Sequence, residues 1–134
     1  MSNNVEHLDV AELNDKCYKE TRKYLKNKTN VTDYYCLELF KRAIEDNCHL
    51  SFKAIYHNYR FLVLSWIRKH NVYRELSIEE DELLFDCISQ FFFAMKRISI
   101  HNFNSISKIL AYWKKCVHTV LTTELRRQNK SEIP

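Results

Sequence analysis

No glycine occurs in the chain, and its single proline is the terminal Pro134. Glycine enters positive φ without steric cost, and two-residue hairpin turns depend on it, so a tightly turned β-architecture is nearly excluded. Helices with asparagine at their ends remain. The expected fold is therefore all-α, a compact multi-helix bundle of about five helices. A length of 134 residues suits one core, since single domains typically span roughly 100 to 150 residues. Hydrophobic residues make up 46% of the chain, with eight Phe, eight Tyr and two Trp, enough apolar surface to offset the entropy of ordering.

Hydrophobic periodicity places the helices. Asp9 with Glu12 three residues on has the form of a capping box, and Val10, Leu13, Cys17, Tyr24 and Leu25 then recur at helical spacing. Lys26 to Asn30 reads as a polar linker, which divides an N-terminal amphipathic helical extension (1–30) from a helical domain (31–134). That extension covers the core or binds a partner, and covering is the simpler reading. A second helix starts near Thr32, carries Leu37, Phe40, Ile44 and Cys48 on one face, and stops around Asn47. Ser51 reads as the cap of a third, central helix with Phe52, Ile55, Tyr56, Tyr59, Leu62, Val63, Trp66 and Ile67 on a broad apolar face, ending at His70 and Asn71.

A loop over 71–76 leads to a second capping-box pair, Ser77 and Glu80, and a helix reaching about Arg97 with Leu84, Cys87, Ile88, Phe91 and Met95 inward. After the irregular stretch 98–104, Ser105 starts a long helix with Ile106, Ile109, Leu110, Trp113, Val117, Val120, Leu121 and Leu125 on its core face. Phe91, Phe92 and Phe93 cannot all face one core. One of them belongs to an interface or lies under the N-terminal helix, the simpler placement. Trp66 and Trp113 fall at core positions and read as packing residues.

The five cysteines, at 17, 36, 48, 87 and 116, form no C-x-x-C pair and leave an odd count, so neither a zinc site nor a disulfide framework is expected. The start is not of the basic-then-apolar signal kind, and the longest apolar run is far short of about 18 residues. A cytoplasmic protein with no membrane partner is expected. The six histidines, at 7, 49, 57, 70, 101 and 118, lack paired-ligand spacing, and no phosphate loop or nucleophile motif occurs. No enzyme activity, metal or other cofactor is expected. His57 and His118 read as helix-surface or core-edge residues.

Charge is segregated although the net is only +4. Glu75, Glu79, Glu80, Asp81, Glu82 and Asp86 stand together without a basic residue at or near a helix start, where they also suit the helix dipole. Lys108, Lys114, Lys115, Arg126, Arg127 and Lys130, against Glu124 and Glu132, give the last helix region the net charge of the whole chain. A solvated basic face explains such a helix in most proteins. Here it follows directly on His101, Asn102, Phe103 and Asn104, groups suited to hydrogen bonding and stacking with unpaired bases.

From about Leu37 to Lys130 the order of these features resembles region 2 of the extracytoplasmic-function type of the bacterial RNA polymerase sigma factors, the sigma-70 family. Leu39-Phe40-Lys41-Arg42-Ala43 and Ser51-Phe52-Lys53-Ala54-Ile55-Tyr56-His57-Asn58-Tyr59 are similar to the family's opening helix pair. Asp81-Glu82-Leu83-Leu84-Phe85-Asp86-Cys87-Ile88 resembles its acidic segment, and Phe103, Trp113 and Thr123-Glu124-Leu125-Arg126-Arg127 resemble its Phe, its Trp-bearing helix and its Arg-Arg ending. Phe85 stands where the family usually has Gln, Val120 near its usual Asn, and Glu124 in place of Asp. A complete factor of this class also carries region 4, for which no residues remain. The chain is expected to be either an excised domain or a single-domain relative.

The resemblance implies a sigma region 2-like bundle acting in transcription initiation without a chemical step. Glu80, Asp81, Glu82 and Asp86 would dock on the clamp coiled coil of the RNA polymerase core. His101, Asn102, Phe103 and Asn104 would meet the single-stranded minus-ten element of promoter DNA, with Lys108, Lys114, Lys115, Arg126, Arg127 and Lys130 on its phosphates as the strands open. Phe103 has a competing role in packing. The alternative keeps the fold and drops the DNA: a helical adaptor that binds polymerase or a regulatory protein through the acidic helix and the Phe91–Phe93 run.

Overall fold

A computed structural model of the chain describes residues 5–27 and 33–131. Among these residues there are five α-helices and no strand: α1 (Val10–Asn27), α2 (Tyr34–Ile44), α3 (His49–Lys69), α4 (Glu80–Ile98) and α5 (Ile106–Ser131). Short 3-10 turns at Tyr73–Glu75 and Ile100–Asn102 sit in the two longer connections. The expected all-α bundle is the observed fold.

Each of four helices delivers an aromatic ring to one centre. Trp113 of α5 stacks on Phe91 of α4 with centroids 4.0 Å apart and planes at 6°, while Phe40 of α2 meets both rings edge-on at 6.3 and 6.1 Å. Tyr59 of α3 closes the group 5.8 Å from Trp113. These rings are fully buried and supply the largest side chains of a continuous core. Such pairs contribute about 0.5–1.5 kcal/mol each beyond the area they bury.

α1 adds Leu13 and Cys17 to that core and packs on α2 and α3. Thr21 and Tyr59 share a hydrogen bond of 2.6 Å between their hydroxyls, and the Asn58 amide donates to Asn14 at 2.6 Å. Arg42 of α2 reaches back to donate to the carbonyls of Leu8, Val5 and Glu6 while paired with Glu38. Glu20, almost completely buried, accepts the backbone N–H of Cys36 at 2.9 Å. The same α1–α2 seam carries a disulfide between Cys17 and Cys36, whose Cα atoms are 4.5 Å apart. This overturns the expectation of no disulfide: helix packing brings the pair together, and cysteine spacing along a chain does not encode that proximity.

Several local expectations also change. Asp9 caps α1 as expected, its carboxylate accepting the Glu12 N–H at 2.8 Å. Ser77 and Glu80 form no capping box, because α4 begins only at Glu80, the Ser77 N–H donates to Gln128, and the Glu80 carboxylate is held by Arg68 and Tyr73. Ser51 is not a cap but the third residue of α3, buried behind Cys48 at the N-cap. Lys26 and Asn27 belong to α1, not to a linker, and Leu25 is exposed; residues 28–32, with Thr32, lie outside the described residues. α2 ends at Ile44, and Asn47 follows at φ 53°, the left-handed region that asparagine tolerates in a chain without glycine. Leu83 and Phe92 join the expected core face of α4, whereas Phe93 is 60% exposed and lies under no N-terminal helix.

Candidate functional site

The acidic block is divided by the fold. Glu80 is tied inward: Arg68 donates to its two oxygens from Nε and Nη2, each at 2.7 Å, and the Tyr73 hydroxyl donates to Oε2 at 2.7 Å. These bonds, Arg68 first, hold the Glu80 carboxyl down to about 2 and clasp α3 to the start of α4. Asp81 and Glu82 are exposed, and Asp86 is half-buried one turn on. Asp86 lines a cleft of about 540 Å³ between α4 and α5 together with Gln90, Phe93, Val120, Glu124 and Arg127. Phe85, 65% exposed on the same helix as Phe93, makes the outer face of α4 at once acidic and aromatic.

The connection from α4 to α5 is less open than its sequence suggests. Ser99 ends α4 at φ 89°, a conformation that costs a non-glycine residue about 1–3 kcal/mol. Its hydroxyl accepts the His101 N–H, and the Asn102 amide donates to the Ile98 carbonyl at 2.7 Å. The His101 ring pairs with Glu45 at 2.5 Å. Phe103 is half-buried 5.6 Å from the Tyr112 ring, so packing is its observed role. Asn104 is exposed, with no side-chain hydrogen bond among the described residues.

α5 sorts the basic residues by face. At about 100° per residue, Lys108, Lys115, Arg126 and Lys130 fall within an arc of about 60°. All four are exposed, on the side away from the buried Ile109, Trp113 and Val117. Over 26 residues this stripe extends through most of a helix about 39 Å long. Lys114 lies about 120° round from Lys108, toward α3, where it lines a cavity with Lys69, His70 and His118. Arg127 faces the α4 side and pairs with Glu124 at 2.7 Å. Six basic residues that the sequence leaves as one set are thus four on a stripe and one on each flank.

The cavity between α3 and α5 is not foreshadowed by any motif in the sequence. His70, the C-cap of α3, and His118 of α5 meet at 2.9 Å, Nε2 to Nδ1. Burial first, and the neighbouring His118 second, lower the His70 pKa below the ordinary imidazole value. Forty-eight positions separate the two histidines, so no local spacing could have signalled the pair.

Burial pushes Cys87 up to about 12 and raises Cys116, whereas the Ser51 hydrogen bond lowers the Cys48 thiol. Among the described residues no group of three or more His, Cys, Asp or Glu side chains could hold a metal ion, and no helix is long and apolar enough to cross a membrane. Comparison with protein-family models, with curated proteins and with solved structures finds no match for the chain.

Proposed function

We propose that the chain is a sigma region 2-like transcription initiation domain, which binds RNA polymerase through the outer face of α4 and promoter DNA through α5 and the connection before it. One observation carries the reading. An exposed acidic helix start and an exposed basic stripe lie on consecutive helices, joined by a segment that presents the Asn104 amide. Opposite charges on two faces suit a molecule bridging a basic protein surface and a polyanion. Lys108, Lys115, Arg126 and Lys130 would neutralise backbone phosphates, and Asn104 is the group of the connection most open to a base edge.

The adaptor reading has its own support. Phe85 and Phe93 are exposed beside Asp86 and the α4–α5 cleft, while His101 and Asn102 already have partners within the fold. A protein partner alone would explain that distribution. Polymerase core and single-stranded minus-ten oligonucleotides, added separately to the intact chain, discriminate the two. Reversal of Asp81 and Glu82 to Lys is expected to weaken polymerase binding without changing oligonucleotide binding. Polymerase binding without any oligonucleotide binding selects the adaptor, and binding of neither rejects the initiation reading and leaves only an adaptor for a regulatory protein.

A further inference from the structure

The cavity between the end of α3 and the middle of α5 is about 360 Å³, the lower part of the size range of small-ligand sites. Trp66, Lys69, His70, Asn71, Lys114 and His118 line it, and no carboxylate does. Lys69 and Lys114 form no ion pair among the described residues, so two ammonium groups flank one cavity without compensation. Uncompensated cations around a concave, partly desolvated surface raise the local potential and attract an anion more strongly than the same charges on an open face.

The histidine pair adds a directed donor. The backbone N–H of Val72 donates to His70 Nδ1 at 3.2 Å, which leaves the proton of the neutral His70 ring on Nε2. That Nε2–H donates to His118 Nδ1 at 2.9 Å. The proton of His118 is then on Nε2, without a partner among the described residues. Every ring nitrogen of the pair is either engaged or carries a hydrogen, so this arrangement serves an anion and offers no lone pair to a cation. Trp66 is half-buried in the same wall and has no aromatic partner among the described residues, unlike Trp113 in the core. An indole face with cations beside it accepts a heteroaromatic base.

We infer that this cavity is a nucleotide site, in which Lys69, Lys114 and His118 hold the phosphate and Trp66 stacks on the base. It lies about 18 Å along α5 from the α4–α5 connection. Neither polymerase nor a melted promoter is needed to fill it. A free mononucleotide and one unit of a single strand present the same phosphate and base, and the probes separate these sources.

Deoxyadenosine monophosphate is titrated into the intact chain, with indole fluorescence and the histidine ring signals in NMR as readouts. Saturable quenching is expected, abolished in Trp66→Phe, together with shifts of the His70 and His118 signals. Deoxyadenosine alone and inorganic phosphate alone are expected to bind at least about tenfold more weakly, as each presents only one of the two recognised groups. The double variant Lys69→Gln, Lys114→Gln changes only exposed side chains and is expected to fold normally while weakening the nucleotide by about tenfold or more. Short oligodeoxyadenylate binding more tightly than the monophosphate, with the same dependence on both lysines, assigns the site to a strand; the reverse order assigns it to a free nucleotide. Absence of saturable quenching and histidine shifts, equal binding by the double variant, or inorganic phosphate binding as tightly as the nucleotide overturns the assignment. Oligonucleotide affinity that survives the double variant but falls on removal of Lys115 and Arg126 leaves the promoter reading standing without this site.

Discussion

Single residues show how local chemistry was legible and where it was not. Asp9 and Glu12 are three apart, and the bond between them needs no other part of the chain, so the sequence alone reveals it. Ser77 and Glu80 have the same spacing, but the strongest partners of Glu80 come from Arg68 and Tyr73, and their positions depend on the packing of α3. The depressed Glu80 carboxyl contributes stability above its ordinary value near 4.5 and loses it as the pH falls toward about 2. Glu80→Gln is therefore expected to lower the denaturation midpoint at neutral pH, with the difference from the parent chain vanishing at strongly acidic pH. A constant difference across the range would remove the ion from the explanation. His70 has the opposite charge logic with the same direction in pH. Its folded pKa lies below that of the unfolded chain, so stability is present above about pH 6.5 and falls as acid is added below that value. Melting temperatures measured from pH 7 to pH 5 are expected to decline less steeply for His70→Gln than for the parent chain.

At the level of helices, period and composition predicted well and edges poorly. The inward residues of α3, α4 and α5 follow from the 3.6-residue repeat because each helix buries one face against the same aromatic centre. Leu25 failed because periodicity identifies a stripe, whereas burial also needs a neighbour to cover it, and among the described residues none covers Leu25; Phe93, outside the periodic core face of α4, is exposed without the N-terminal helix over it. The pairing of α1 with α2 was wholly hidden, since Cys17 and Cys36 lie on different helices 19 positions apart. Closing a loop of that size restricts the unfolded chain and stabilises the fold by about 3 kcal/mol in the chain-entropy account. Reduction by a dithiol under partly denaturing conditions, followed by alkylation, is expected to lower the urea midpoint accordingly and to free α1 first. Hydrogen exchange that accelerates uniformly in all five helices, instead of in α1 and α2, would contradict that order.

Across the whole molecule, the fold brings together groups that no window of sequence contains, and it also disperses groups that stand side by side in the sequence. The six basic residues of the last helix read as one set, yet only Lys108, Lys115, Arg126 and Lys130 share a face, because rotation along a helix, not proximity in sequence, decides which side chains point together. The groups of the connection divide in the same way. Phe103 packs on Tyr112, His101 pairs with Glu45 and Asn102 donates to Ile98, so Asn104 is the residue left to read a base. If the promoter reading holds, affinity and specificity are carried by different residues. Replacing Lys115 and Arg126 by Gln should reduce the salt slope of single-stranded DNA binding by about 0.7 for each phosphate no longer neutralised, and should do so for every sequence alike. Asn104→Ala should leave that slope unchanged while reducing discrimination between minus-ten and scrambled oligonucleotides by about 1–3 kcal/mol, the usual worth of a specific hydrogen-bonded base pairing with a side chain. Asn102→Ala, by contrast, removes a bond that shapes the backbone at Ile98, and is expected to lower stability along with any discrimination. Titrations of the three variants at several salt concentrations separate these effects, and a parent chain that binds minus-ten and scrambled strands equally would take base reading out of the mechanism.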